Sequence, residues 1–227
     1  SKFSWRKGGK GLHGRRFATG WGHYKEERTV VVVSYSGREI NAKLVYYGAG
    51  LCGKTTNLEA LSRLLPSHSL HKLLQLATET QRTLYFDLLS LELAIGSDAP
   101  LRIELFTVPG QSFYLNARRR ILREADGIVF VADSRRLRLE ANIEALAEVA
   151  AAIEDSGRDV DDIPAVLQLN KCDDQNAVPR LELLSLLGCA GEPYVEAVAS
   201  DGRGVVETLR LISRHVLAPR MQFEPTF

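Results

Sequence analysis

Apolar and polar positions alternate in a way that predicts strands and helices in turn from residue 30 onward. Two runs rich in β-branched and aromatic residues, 30–35 and 39–47, flank Ser36-Gly37, which predicts a short hairpin. Further apolar runs of strand length lie at 86–95, 101–106, 127–132, 165–169 and 194–198. Helical patterns lie at about 54–64, 114–124, 137–154, 179–187 and 204–217. Such alternation predicts an α/β fold with three layers and a mostly parallel sheet. The turn at 96–100 predicts one antiparallel edge strand.

The first 29 residues differ from this body in composition. They carry eight basic side chains against two acidic ones, six of the 18 glycines and both tryptophans, without a period of 2 or 3.6. We therefore predict a disordered basic arm at 1–29, a globular domain at 30–218 and a tail at 219–227. Two interpretations of the arm stay open: docking on an acidic partner, membrane or nucleic acid, or a leader without function.

Overall composition excludes several classes of protein. The 227 residues are 45% hydrophobic and 25% charged. The net charge is +1, so the overall electrostatic field does not favour binding to nucleic acid. No apolar run reaches the roughly 18–20 residues that span a bilayer, and the tail lacks a cysteine for a lipid anchor. Three cysteines do not make a disulfide framework. We expect a cytoplasmic protein without a direct membrane anchor.

The first chemical motif follows the strand 39–47 and opens the next helix. It matches G-x-x-x-x-G-K-[ST] in full and consists of Gly48, Ala49, Gly50, Leu51, Cys52, Gly53, Lys54 and Thr55. Glycines let backbone N–H groups converge on phosphate oxygens at a helix N-terminus. Lys54 is expected on the β- and γ-phosphates and the Thr55 hydroxyl on Mg²⁺. A simple connecting turn is the alternative.

The second motif, Asn170-Lys171-Cys172-Asp173, follows the buried strand 165–169, at the end of a strand where α/β proteins bind ligands. A carboxylate at Asp173 can accept hydrogen bonds from N1–H and the 2-amino group of guanine, donors that adenine lacks. Lying 115 residues after Thr55, this motif predicts GTP and GDP as ligands.

With these motifs the body resembles the small Ras-like GTPases, which are P-loop NTPase G domains, and more narrowly the bacterial MglA group of polarity GTPases. The resemblance covers about residues 34–217. The segments that carry the narrower match are Arg38-Glu39-Ile40-Asn41, Gly50-Leu51-Cys52-Gly53-Lys54-Thr55-Thr56-Asn57, Thr78-Glu79-Thr80, Arg82-Thr83-Leu84, Thr107-Val108-Pro109-Gly110-Gln111 and Val131-Ala132-Asp133-Ser134.

The resemblance implies roles for residues in two switch segments. Thr83 would sense the γ-phosphate and ligate Mg²⁺ in the GTP state, as the threonine of switch I. Gly110 would donate its N–H to the γ-phosphate, and Gln111 would orient the attacking water. Arg82 matches an arginine that this group supplies to the charge of the transition state, a contribution worth roughly 10³–10⁵ in rate elsewhere.

It also implies further nucleotide contacts and one departure. Thr56 extends the phosphate loop, and Ala199 and Ser200 stand where a backbone N–H meets the guanine O6. Thr107 replaces the aspartate of the D-x-x-G motif, a change that MglA-like proteins share. Asp87 is a candidate substitute near the metal, with a solvated or strand-pairing carboxylate as the alternative.

The resemblance implies a slow GTPase that is monomeric alone and regulates polarity or motility through GTP-dependent effectors. Its expected partners are a roadblock/LC7-type (MglB-like) activating protein and polarity, cytoskeletal or motility effectors, which would concentrate it at cell poles. Three alternatives stay open: a SofG-like extended GTPase acting with bactofilin filaments, a nucleotide-locked scaffold without turnover, and a P-loop kinase or ATPase.

Overall fold

An eight-stranded sheet forms the centre of the computed structural model, which describes residues 33–34, 39–66, 70–76, 86–95, 99–108 and 121–217. The strands are β1 (Val33–Ser34), β2 (Glu39–Tyr47), β3 (Leu70–Leu76), β4 (Phe86–Ile95), β5 (Ala99–Thr107), β6 (Gly127–Asp133), β7 (Ala165–Asn170) and β8 (Tyr194–Ala197). The helices that lie wholly within the described residues are α1 (Lys54–Leu64), α2 (Leu139–Glu154), α3 (Arg180–Leu186) and α4 (Val205–Leu217). Short 3₁₀ turns occupy Arg136–Arg138 and Val160–Asp162.

The strand order is β3-β4-β5-β2-β6-β7-β8, and β1 pairs with β2. β2 is parallel to both β5 and β6, and the pairs β6–β7 and β7–β8 are also parallel. β4 is antiparallel to its two neighbours, and β1 is antiparallel to β2. The predicted α/β class with a mostly parallel sheet is therefore confirmed.

β3 was not expected from the sequence, and it changes the position of the antiparallel strand. It pairs outside β4, so β4 lies one place in from the end of the sheet. Its sequence, LHKLLQL, places two leucines side by side and does not alternate. Pairing with β4, rather than a local pattern, makes this segment a strand.

Helices cover both faces of the sheet because successive strand residues point to opposite sides. Val45 and Phe130 pack in one core with residues of α2 and α3. Their neighbours Leu44 and Val129 pack in a second core with α1 and α4. Every residue of β6 is buried, as expected for a strand covered on both faces. The described helices include none that is long and apolar enough to cross a membrane.

The carboxyl ends of five parallel strands meet at one edge of the sheet. Tyr46 is in register with Thr107, and Asn170 is in register with both Asp133 and Ala197. β2 lies between β5 and β6. The chain therefore builds β3, β4 and β5 on one side of β2 and then places β6, β7 and β8 on the other side. Such a switch point is where α/β sheets form a crevice for ligands.

Candidate functional site

The loop between β2 and α1 requires glycine at two of its positions. Gly48 has φ 148°, and a Cβ there would collide with the carbonyl oxygen of Val131. Gly53 has φ 107°, and a Cβ there would collide with the side-chain amide of Asn170. The first and last glycines of the sequence motif are therefore needed where the loop passes neighbouring strands closely.

Lys54 is the first residue of α1, and its side chain is almost fully buried. Its Nζ donates hydrogen bonds to the carbonyl oxygens of Gly48 at 2.9 Å and Ala49 at 2.8 Å. The ammonium group therefore lies across the loop that the sequence predicts as a phosphate cradle. The adjacent Thr55 side chain is exposed in the first turn of the helix.

Cys52 is fully buried within the same loop. Burial raises the pKa of its thiol, although the nearby Lys54 ammonium opposes that shift. The Cys52 N–H, a predicted phosphate donor, lies 3.4 Å from the Ala49 carbonyl oxygen that accepts from it. Because burial raises its pKa, the Cys52 thiol is neutral at physiological pH.

Asn170 connects three segments at the edge of the sheet. Its Nδ2 donates to the carbonyl oxygen of Cys52 at 2.7 Å, and its Oδ1 accepts from the Ala199 N–H at 2.9 Å. The predicted phosphate loop, the Asn-Lys-x-Asp motif and the 199–200 loop are therefore joined by a single buried side chain. Asp173 and Ser200 are exposed in the two turns beside it.

Lys171 has a positive φ of 62° and reaches back to the phosphate loop. Its Nζ donates to the Leu51 carbonyl oxygen and to Asp133 Oδ2, both at 2.7 Å. Sequence reasoning named Lys171 as a nucleotide contact, and the structure adds these two partners.

Asp133 is a buried charge whose role sequence reasoning missed. Burial opposes its ionisation, but hydrogen bonds from Arg135 and Lys171 hold the pKa of its carboxyl below the ordinary value. The only signal was its position after a fully apolar strand, within a segment that carries the family resemblance. The carboxylate is therefore charged and paired on the side of the loop formed by Gly50 and Leu51.

A second missed feature is a polar network inside the core. The Gln168 side chain exchanges hydrogen bonds with Asn57 at 2.7 and 2.8 Å and donates to Thr208 Oγ1 at 2.9 Å. Asn57 also donates to the Gly53 carbonyl oxygen at 2.9 Å. A glutamine within an otherwise apolar buried strand was the available signal. The network ties α1, β7 and α4 together behind the phosphate loop.

Other predicted functional residues lie outside the described part of the chain. These are Arg82, Thr83, Gly110 and Gln111. Their roles remain predictions, as do those of the arm 1–29 and the tail 219–227.

Two residues proposed for the metal region lie at neighbouring strand positions. Thr107 is buried at the end of β5. In the antiparallel pair of β4 and β5, Leu88 lies opposite Phe106. The next position along this pair places Asp87, which precedes Leu88, opposite Thr107, which follows Phe106. The backbone of Asp87 therefore lies beside that of Thr107. Among the described residues, no group of three or more His, Cys, Asp or Glu side chains is arranged to hold a metal ion.

Comparison with known proteins gives one close match. The chain is 46% identical to mutual gliding-motility protein MglA of Myxococcus xanthus (strain DK1622) over 185 residues, which is 82% of this chain and 95% of that protein. No protein-family profile matches the chain. Identity of this extent, over nearly the whole length of the relative and on an α/β fold with a complete G-x-x-x-x-G-K-[ST] motif, shows that the chain belongs to the MglA family of small GTPases.

Proposed function

We propose that the chain is a molecular switch that binds GTP and GDP with Mg²⁺, hydrolyses GTP to GDP and phosphate, and regulates polarity or gliding motility. The observation that supports this proposal is the Asn170 side chain, which joins the loop proposed to bind phosphate to the two turns proposed to recognise the base. The relative's name, mutual gliding-motility protein, supports the cellular role.

Phosphate binding is proposed for the loop 48–55 and the N-terminus of α1. Backbone N–H groups in such loops converge on anions, and the helix N-terminus adds positive potential. The Lys54 ammonium now bonds to two carbonyl oxygens of the loop itself. On nucleotide binding it would exchange these neutral acceptors for charged phosphate oxygens, which form stronger hydrogen bonds.

Guanine recognition is proposed for Asp173 and the 199–200 loop. The exposed Asp173 carboxylate follows the Asn170 bridge by three residues and can accept from the two donors of guanine. The Ala199 N–H already donates to Asn170. The N–H of the exposed Ser200 is therefore the better donor for the guanine O6.

The donor set at the phosphate loop fits Mg²⁺. Thr55 offers an exposed hydroxyl one residue from Lys54, and Mg²⁺ prefers a few protein oxygens together with phosphates and waters over an all-protein cage. When bound, the ion neutralises charge on the β- and γ-phosphates. Thr83 is the second proposed ligand, from switch I.

Hydrolysis is proposed to use Gln111 to orient water and Arg82 to stabilise the charge of the transition state, both by family resemblance. Thr83 and Gly110 would sense the γ-phosphate, so that the switch segments change with the nucleotide. We propose a roadblock/LC7-type activating protein and polarity, cytoskeletal or motility effectors as partners. The chain would be cytoplasmic, with polar concentration through these partners.

The first test is competition for labelled GDP on the purified full chain in the presence of Mg²⁺. Unlabelled GTP and GDP should displace the label, while ATP at the same concentration should not. Displacement by ATP as effective as by GTP would contradict guanine recognition and favour a general P-loop phosphotransferase.

A pair of neighbouring carboxylates supplies a matched control for this test. Asp173→Asn should abolish the preference for GTP, because an amide presents a donor where the guanine donors need an acceptor. Asp174→Asn should keep the preference, since the Asp174 side chain accepts hydrogen bonds only from the nearby Asn176 in the described structure. GTP selectivity that survives Asp173→Asn would show that another residue reads the base.

Hydrolysis needs its own measurement. Phosphate release from GTP should be slow in the wild type and slower in Arg82→Ala, with GDP affinity nearly unchanged. Equal losses of affinity and rate would contradict the role of Arg82. No phosphate release even with an activating partner would favour a nucleotide-locked scaffold.

A further inference from the structure

We propose that Asp133, acting with Arg138, is a positioning residue that holds the phosphate loop in the shape that receives a nucleotide. The inference rests on the proposed function, because it concerns how the same site is prepared for phosphate. Neither residue is among those that the motifs of the site single out as nucleotide contacts. Arg138 contacts a carbonyl oxygen of the loop directly, and Asp133 acts through the cations that gather at its carboxylate.

Asp133 is held rigidly at the end of β6. Its side chain is fully buried, and its backbone N–H and C=O exchange hydrogen bonds with the Asn142 side chain at 3.0 and 2.8 Å. The carboxylate accepts from Arg135 at 2.9 and 2.7 Å and from Lys171 at 2.7 Å. A charge fixed in this way sets the positions of the cations around it.

Two cations near Asp133, Lys171 and Arg138, reach carbonyl groups of the proposed phosphate loop. Lys171 Nζ donates to the carbonyl oxygen of Leu51 at 2.7 Å while it bonds to Asp133. Arg138 donates from Nη2 to the carbonyl oxygen of Gly50 at 2.7 Å, and its Nε lies 4.0 Å from Asp133 Oδ2. Two consecutive carbonyl groups are therefore held by cations that share one carboxylate.

Holding the carbonyl groups also orients the amide groups of the loop. A peptide unit is planar, so a carbonyl that points away from the site turns the following N–H in the opposite direction. Phosphate loops bind anions through N–H groups that face the ligand. The cation on the Gly50 carbonyl therefore orients the Leu51 N–H for phosphate before any ligand arrives, whereas the Cys52 N–H donates to the Ala49 carbonyl oxygen at 3.4 Å and would exchange that acceptor for phosphate.

The Asp133 carboxylate is what allows the cations to gather there. Arg135, Arg138 and Lys171 all lie within 4.0 Å of it. Without its charge these three cations repel one another in a partly buried setting where electrostatic forces are stronger than in water. They would then separate, and both carbonyl groups would lose their donors.

The test compares GDP with GMP on full-length variants. Asp133→Asn keeps the shape of the side chain but removes the charge and places an amide beside cations. Arg138→Gln removes the cation that holds Gly50. The control is Arg136→Gln, in the same turn, because the Arg136 side chain pairs with Glu182 on the surface and, within the described residues, forms no hydrogen bond or ion pair with the loop. Affinity for each nucleotide is measured by competition with fluorescent GDP, and dissociation by chase.

We expect GDP to dissociate about tenfold faster or more from Asp133→Asn, the factor that corresponds to about 1.4 kcal/mol. GDP should dissociate about threefold faster or more from Arg138→Gln. Its dissociation from Arg138→Lys should stay closer to the wild-type rate, because lysine can still donate to Gly50. GMP has one phosphate and uses less of the loop, so its affinity should fall less. The ratio of GDP to GMP affinity should therefore decrease, which general destabilisation would not cause.

Two results would overturn the positioning role while leaving the proposed function intact. One is wild-type GDP binding with unchanged dissociation in both Asp133→Asn and Arg138→Gln. The other is an equal loss of GDP and GMP affinity. If the wild type binds no guanine nucleotide, the proposed function fails, and the inference fails with it. Should Asp133→Asn not fold, the partly exposed Arg138→Gln decides by the same ratio.

Discussion

Replacing Gln168 by leucine should destabilise the protein by a definite amount, because its side chain forms the centre of a buried hydrogen-bond network. Gln168, Asn57 and Thr208 are all fully buried. The substitution removes three hydrogen bonds, two to Asn57 and one to Thr208. The size of the effect depends on which partners stay satisfied afterwards.

Asn57 carries most of the cost. One N–H of its Nδ2 keeps a bond to the Gly53 carbonyl oxygen, but the other N–H loses Gln168 as an acceptor and its Oδ1 loses Gln168 as a donor. Thr208 keeps its own donation to Gly204 at 2.6 Å. Two unsatisfied buried polar groups at about 1.5 kcal/mol each cost about 3 kcal/mol, and extra apolar burial by leucine returns about 0.8 kcal/mol per CH₂. We expect a net loss of about 2 kcal/mol in the free energy of unfolding, or about 4–8 °C in Tm for a domain of this size.

Urea unfolding followed by circular dichroism measures this loss, with thermal unfolding as a second readout. The double variant Asn57→Leu with Gln168→Leu is the control, because removing both partners leaves no orphaned amide. It should be more stable than the sum of the two single losses predicts, by about 1 kcal/mol. A Gln168→Leu protein within about 0.5 kcal/mol of the wild type, or strictly additive losses, would refute the reasoning.

Three further predictions concern the glycine loop, a buried carboxylate and the thiols. Gly48→Ala should abolish GDP binding and lower Tm, because a Cβ there meets the Val131 carbonyl oxygen; unchanged binding would show that the loop has room for it. Because the folded pKa of Asp133 lies below its unfolded value of 3.8, its contribution to stability is present above that pH and lost as the pH falls through the folded pKa. As the pH falls below about 4–5, Asp133→Asn should therefore lose less free energy of unfolding than the wild type loses. An equal loss in the two proteins would exclude this contribution. In the native protein at pH 8, a thiol reagent should label Cys172 first, because the other two of the three cysteines are buried; rapid labelling that survives Cys172→Ser would contradict the burial.

Much of the fold follows from local pattern. The helix predicted at 204–217 is observed at 205–217, and the strand predicted at 165–169 at 165–170. Both have a strong period or a purely apolar run, which depends only on residues near in sequence. The strand at 70–76 was missed because it has no alternation of its own and owes its conformation to pairing with β4.

The sequence by itself determined which residues could carry the chemistry of this protein, and tertiary structure decided which of them meet. The glycines, lysine and threonine of 48–55 lie within eight consecutive positions, so their motif was readable from neighbouring letters. The residues from other segments that contact this loop and its helix could not be read from the sequence in this way. Gln168 and Asn57 are 111 residues apart, and Arg138 is 88 residues from Gly50. Such contacts arise only when parallel strands bring distant chain segments to one edge of the sheet. A buried polar side chain in a single sequence shows that it needs a partner, but the fold determines which partner it has.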